Sequence, residues 1–431
     1  MTYIPQKHKF EWRTEFRTVL IALICCCALL TGILPQKPLS IIVIGLLMLL
    51  ACTGDLYLAY PIMVFYYAEL GTVFGVSVYR FFSIMFIMTA CLRGRGTLNV
   101  RPIHLLIFFI YALYSAVAVT QYSIRLAIFD IVDVVCVLFL TGILRVNEVA
   151  LKRFFSVYAV VAICSFITGV VTGNNVGSQE VFGEEFVQYS RFQATFEDPN
   201  YMGFFFTLAI FAVVTLKLFS KRVRLAVVVV LYVMILTALS ITSIVVNILL
   251  WCFYLVERRQ FNFKTFVVIV LAAFVVYGIY QYGVNHRTSI LGTLSYRIEK
   301  KLGELFEGDV NSATTSRLQL AQGHLQYFLS QPLLKQLFGG NLVTSSVILL
   351  DSDFSYSAHN EFVDELLNVG IVGECILMGY AFFRCWELSQ EYRRSQKKTD
   401  LCVLMCKITW LIYMTSLTVF MDFKFMFPYF L

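Results

Sequence analysis

Charge is scarce in this sequence. Asp, Glu, Lys and Arg make up 14% of its 431 residues, against about 25% in soluble globular chains. So little charge cannot clothe a water-exposed fold, which excludes a soluble enzyme. It also excludes an intrinsically disordered chain, which stays unfolded because it is charged and poor in apolar groups. Cysteine is missing from the places where a disulfide framework needs it. Cys25, Cys26, Cys27, Cys52, Cys91, Cys136 and Cys164 lie in or at the ends of apolar runs, and none of the 12 cysteines falls in the two long polar segments. A disulfide-rich secreted domain is therefore excluded. No repeat of fixed period stands out, and the composition is not that of a collagen-like fibre. No small-residue cleavage site follows the basic start (Lys7, Lys9, Arg13, Arg17), so Thr18–Leu34 is expected to be a first span and not a removable leader.

What is present is apolar. Hydrophobic residues reach 59% and mean hydropathy is +0.76. The expected fold is all-α, a polytopic integral membrane protein. A membrane helix takes roughly 17–25 apolar residues, which gives about 12–14 spans. They fall near 18–34, 39–54, 56–70, 72–92, 102–119, 124–144, 154–173, 199–219, 225–240, 241–256, 265–283, 361–383 and 401–421. The tail after Met421, DFKFMFPYFL, reads as one more partial span. Cys402 and Cys406, four apart on a helix, read as core packing, and the GxxxG runs Gly71–Gly75 and Gly169–Gly173 as weak packing signals.

Lys and Arg outnumber Asp and Glu by 34 to 27, a net charge of +7. The excess sits in short segments between apolar runs, so it points to topology and not to nucleic acid. The clusters are the N-terminus, Arg93–Arg101, Arg145–Arg153, Lys217–Arg224, Glu257–Lys264 and Arg384–Lys398. An even number of spans separates each from the next, so all six can face the cytoplasm. Two long polar segments are then external, a first loop over 174–198 and a larger one over 284–360. Long loops in a chain otherwise joined by short turns are usually functional.

The first external loop ends in SRFQATFEDPNYMGFFF. Asp198 suits a helix N-cap and Pro199 the first helical position, with Arg191 just upstream. The second holds NSATTSRLQLAQGHLQYFLSQP. Its Ser/Thr cluster predicts a helix start and Pro332 a stop, with a membrane-surface helix near 316–330. Leu318, Ala321, Leu325 and Phe328 mark its apolar face, and His324 reads as structural. Arg317 falls in the first turn, unfavourable against the helix dipole unless an anion binds there. The loop closes with YSAHNEFVDELLNVGIVGE, where Asn360 is the expected N-cap and Glu361 stands in the first turn. His359 then precedes a helix N-terminus, a position that keeps imidazole neutral, as a general base requires. Guanidiniums grip phosphate oxygens bidentately and stay charged. Two arginines and a neutral histidine thus suit attack by a sugar hydroxyl on an anomeric carbon with a pyrophosphate leaving group, inverting the centre without ATP.

At these residues the chain resembles the O-antigen ligase and Wzy-type O-antigen polymerase superfamily. The matching pieces are Arg191 with FQATFEDPNYMG, Arg317 after SATTS, and HNEFVDELLNVGIVG from His359 to Gly373. The resemblance implies a GT-C-like membrane fold in the bacterial cytoplasmic membrane, with the active-site loops on the extracytoplasmic side. It implies an undecaprenyl-pyrophosphate-linked oligosaccharide as donor, Arg191 and Arg317 as its pyrophosphate ligands, and His359 as catalytic base. Asn360, Asp198 and Asn200 are the expected supporting residues. A flippase and a chain-length regulator are the implied partners, beside the bilayer itself. Polymerases extend a lipid-linked repeat unit, whereas ligases transfer the glycan to lipid A-core; polymerase is the first reading because lipid A-core restricts the organism. One departure stands out. Many members carry an arginine at the outer turn between two middle spans, where this chain reads LTALSITSIVV over Leu236–Val246. Arg287 is a candidate replacement.

Two competing patterns are present. Asp351-Ser352-Asp353 is a DxD-like triplet of the kind that holds a divalent metal in some glycosyltransferases. The triplet is common by chance, and neither metal nor cofactor is expected. Asp130, Asp133 and Glu69 lie in or at the end of apolar runs, as in a flippase or secondary transporter. Pairing of Arg125 with one of these acids is the plainer reading, and no matching Gly/Pro-broken spans support transport.

Overall fold

Helix follows apolarity along most of this chain. A computed structural model describes residues 56–66, 72–73, 76–92, 101–119, 124–146, 148–182, 185–258, 274, 277–278, 280–286, 290–308, 317–339, 347–348, 355–356, 359–417 and 425–431, and these are mostly helical. The first stretch contains α1 (Leu56–Phe65), the two-residue strands β1 (Thr72–Val73) and β2 (Val76–Ser77), and α2 (Val78–Leu92). Then come α3 (Pro102–Val119), α4 (Ile124–Val146), α5 (Glu148–Thr172), and strands β3 (Asn175–Phe182) and β4 (Glu185–Phe192). Next are α6 (Pro199–Thr215), α7 (Lys221–Thr237), α8 (Ile241–Glu257), α9 (Ile290–Phe306), α10 (Arg317–Ser330) and α11 (Leu333–Phe338). Strands β5 (Val347–Ile348) and β6 (Ser355–Tyr356) precede α12 (Glu361–Ser395), α13 (Lys398–Tyr413) and α14 (Phe427–Phe430).

Two of the described helices, α5 and α12, are long and apolar enough to cross a membrane; α6 and α8 are shorter apolar helices. The expected spans 18–34 and 39–54, and most of 265–283, lie outside the described residues. So do Gly71 and Gly75, Glu69, Arg287, the Ser/Thr cluster before Arg317, and the Asp351–Asp353 triplet.

α6 runs through the middle of the core, packed by α5, α7, α8 and α13. Phe204, Phe205 and Phe206 on α6 are fully buried, as are Phe154, Phe155 and Tyr158 on α5. Aromatic edges meet there: Phe65 to Tyr158 at 4.9 Å and Phe204 to Tyr413 at 5.3 Å between centroids. Cys402 and Cys406 are buried in this core, on α13. Gly169 packs against the backbone of Ala194, where a Cβ would collide.

Several expectations are corrected. The first long polar segment holds regular structure that its sequence did not announce. β3 and β4 form an antiparallel hairpin with Asn175 opposite Phe192 and Phe182 opposite Glu185. Of the tail after Met421, residues 425–431 are described; its four-residue helix is too short to cross a bilayer by itself, and Phe427, Tyr429, Phe430 and Leu431 are buried inside the bundle. The Arg384–Lys398 segment is not a loop as far as Ser395, because α12 continues through it. Arg384 there pairs with Glu387 and Glu391, three and seven residues on, which keeps the polar turns helical. α12 also breaks inside its expected span, at Gly370 with φ 69° and ψ −179°. Its backbone meets Gly339 just after α11, itself at φ 74°, and neither site has room for a Cβ. Asp133 pairs with Arg80 at 3.8 Å; the expected pairing of Arg125 with an acid falls outside the described side chains, as do those of Arg125 and Asp130.

Helix ends segregate by charge. At one end Glu257 holds Arg393 at 2.8 Å and Glu387 holds Arg101 at 2.9 Å. The other end gathers the hairpin foot, the α7–α8 turn, α10 and the start of α12 around a cavity.

Candidate functional site

Asp198 caps α6, accepting from Asn200 N at 2.6 Å ahead of Pro199. Asn200 Oδ1 in turn accepts from Ser240 Oγ at 2.6 Å. Ser240 caps α8 by accepting from Ser243 N at 3.2 Å. This buried chain of side chains ties the start of α6 to the start of α8 and fixes the turn between α7 and α8. Deeper, Asn247 continues the polar seam by donating to Thr207 Oγ1 at 2.8 Å.

That turn receives the first guanidiniums on its carbonyls. Arg191, one residue from the end of β4, donates through Nε to Ala238 O at 3.0 Å. Arg297, midway along α9, donates through Nη1 to the next carbonyl, Leu239 O. A second turn, after α13, receives the third. Arg317 Nη1 donates to Ser416 O at 3.3 Å. Met414 O in the same turn accepts from Glu361 N at 2.9 Å and anchors the start of α12. Asn360 caps that helix, accepting from Phe362 N at 3.1 Å and Val363 N at 3.4 Å. His359 is held just ahead of it in the left-handed region at φ 49°, a conformation unusual for a side chain-bearing residue.

These residues face one cavity of about 550 Å³. Arg191, Arg317, His359, Asn200 and Asn360 all line it; Asp198 is not in the lining but, as the cap of α6, acts electrostatically on Arg317 and His359. Two cations that the sequence reading missed, Arg297 and Lys301, line it too. Both come from α9, whose Leu291, Leu294, Ile298, Leu302 and Leu305 recur at helical spacing. That periodicity, with Arg297 and Lys301 four apart, was the available signal. Arg297 stands at the turn where the expected middle-span arginine is missing.

Electrostatics follow the geometry. Partial burial holds the imidazole of His359 below its ordinary value, the nearby Arg317 charge lowers it further, and the Asp198 carboxylate opposes them. Burial likewise lowers Arg317, with Asp198 acting against it. His324 is fully buried, and its Nδ1 lies 2.9 Å from Leu320 O in its own helix. α10 rests on His324 and Phe328, while Leu318 and Leu325 of its expected apolar face are about two-fifths exposed. The outer side of α10 and α11 presents Leu329, Leu333, Leu334 and Phe338.

Four cations beside a neutral imidazole can bind a polyanion and accept one proton next to it. The opposite wall of the cavity is apolar, formed by Ile241, Val245, Val246 and Leu249 of α8 with Ile412. No protein-family model matches the chain, and no curated protein matches it significantly.

Proposed function

We propose that this chain is a surface polysaccharide polymerase, a polytopic glycosyltransferase of GT-C-like fold in the bacterial cytoplasmic membrane with its cavity on the extracytoplasmic side. It transfers a glycan from undecaprenyl pyrophosphate to a sugar hydroxyl of a lipid-linked repeat unit. The observation that carries this reading is the convergence of Arg191, Arg297, Lys301, Arg317 and His359 on one cavity. The hydroxyl oxygen forms a bond to the anomeric carbon as the bond to pyrophosphate breaks. The electron pair leaves with the diphosphate, and His359 takes the hydroxyl proton. Attack from the face opposite the leaving group inverts the anomeric centre. The guanidiniums, with Lys301, compensate the charge growing on the leaving diphosphate, and Asn360 and Asn200 hold the two helix starts that frame the site.

The apolar wall supports a lipid-linked substrate in particular. Val245 and Leu249 line the cavity and are about half exposed, and the same helix exposes Ile248 and Val256 further along. A polyprenyl tail leaving the cavity meets a continuous apolar stripe.

The test is the purified protein in nanodiscs with a synthetic undecaprenyl-diphosphate repeat unit and mass spectrometry of the products. Chain extension without ATP, lost in His359→Ala, supports the reading. Transfer only to lipid A-core makes the protein a ligase, and lipid movement without a new glycosidic bond makes it a transporter; either result overturns it.

A further inference from the structure

The end of the bundle opposite the cavity holds a second set of cations. Arg101 stands just before α3, Arg145 in the last turn of α4, Arg384 in the second half of α12 and Lys407 on α13. Glu387 Oε2 is shared between Arg101 and Arg384, and Glu391 reaches Arg384 at 3.3 Å. Arg145 is half-buried with Arg101 and Arg384 as its nearest cations. Among the described residues it has no carboxylate within ion-pair distance. Lys407 is 2% exposed. Its Nζ donates to a carbonyl, Tyr429 O, and lies 5.6 Å from the ring centre of Tyr380. Among the described residues three arginines here face two carboxylates, and positive charge left uncompensated away from water is unfavourable.

An apolar surface begins at the same place. Leu105, Phe109 and Leu113 recur every fourth residue on α3 from Arg101 onward, and all are exposed. Phe382, Phe383 and Trp386 flank Arg384 on α12 and are more than half exposed. α3 and α12 pack against each other. Cations at the end of an exposed apolar seam match a molecule with an anionic head and long hydrocarbon chains.

We propose that this seam binds one anionic phospholipid, with its phosphate at Arg101 and Arg145 and its acyl chains along α3 and the Phe382–Trp386 face. The inference rests on the reading of the chain as a membrane protein and is independent of glycosyl transfer. Neutral lipid satisfies the apolar seam alone, whereas the surplus cations select a net negative headgroup.

The experiment reconstitutes the full chain in phosphatidylcholine with and without phosphatidylglycerol. Lipid retained by the protein is identified by native mass spectrometry, and thermal unfolding is followed in parallel. Retention of phosphatidylglycerol over phosphatidylcholine is expected, falling about fivefold for each cation removed in Arg145→Gln and Arg101→Gln. If those variants fail to assemble, rising salt applied to the natural protein reads the same contact: preferential retention is expected to fall. Equal retention of both lipids, or a preference indifferent to Arg145→Gln and to salt, overturns the proposal. So does equal stabilisation by inorganic phosphate in pure phosphatidylcholine, which makes the site one for the free anion. Failure to enter vesicles at all refutes the membrane reading instead, and is told apart by flotation before lipid is analysed.

Discussion

Arg191 and Arg297 hold neighbouring carbonyls of a single turn, Ala238 O and Leu239 O, although 105 positions separate them in the chain. One arrives on the foot of a β-hairpin and the other on an amphipathic helix. The turn between α7 and α8 therefore positions two positive charges without carrying any itself. Leu239 adopts φ 50° there, which turns the chain sharply after α7.

The pH dependence of transfer should reveal the base. His359 is depressed below 6.5, and its active form is neutral. Activity is expected to hold from neutral pH down through 6.5 and to fall only below the depressed value. Arg317→Gln removes a neighbouring cation, so the acid limb should move to higher pH. Asp198→Asn removes the opposing carboxylate, so the limb should move to lower pH. Profiles of kcat/KM against pH check all three; an unmoved limb in both variants takes His359 out of the proton transfer.

Arginine geometry should matter more than charge. A hydrogen bond to a charged group contributes about 1.5–3 kcal/mol, so losing one should weaken transfer roughly 10–100-fold. Arg317→Lys, Arg191→Lys and Arg297→Lys each keep the charge and lose the two-pronged contact. Donor KM and kcat for the three, beside Lys301→Arg as a tolerant control, separate ligand binding from general positive potential.

Gly370→Ala should destabilise the protein by about 1–3 kcal/mol, because the observed backbone region is essentially reserved for glycine. Its Cβ would also press on Gly339 and Leu337. Thermal unfolding in detergent is the measurement. Gly379→Ala on the same helix, where a Cβ meets nothing within 4 Å, should leave the midpoint unchanged or raise it.

Asp133→Ala should lower stability by about 1–3 kcal/mol, since it removes the carboxylate that faces the partly buried Arg80. The double variant Arg80→Leu with Asp133→Leu should recover part of the loss. A proton-carrying role for Asp133 predicts instead that Asp133→Asn stops ion movement at unchanged stability, which a pH-sensitive dye in proteoliposomes measures.

Short-range chemistry made the helix starts legible. Asp198-Pro199 and Asn360 announce caps because a side-chain oxygen and the missing proline N–H answer the same unpaired backbone groups. The helix at Arg317–Ser330 was legible from spacing. How deeply His324 sits was not, because a polar atom satisfied within its own helix can be buried without a partner that the sequence reveals. The hairpin stayed hidden because its strands are rich in Gln, Glu and Ser, so polar composition masked the pairing. The Gly370 break lies in a segment that reads as continuous helix, and only its contact with Gly339, thirty-one positions earlier, makes it necessary. The site itself depends on contacts between distant segments, which periodicity cannot supply; Arg297 shows this, since its helix is readable and its destination is not.

The hairpin has one firm end. Its base is clamped through Arg191 to the α7–α8 turn, while its far end, between Phe182 and Glu185, is remote in register from that clamp. Lengthening or trimming the ribbon by paired residues at the distal bend preserves strand alternation and leaves the guanidinium where it is. The ribbon can thus change length without retuning the charge at its base.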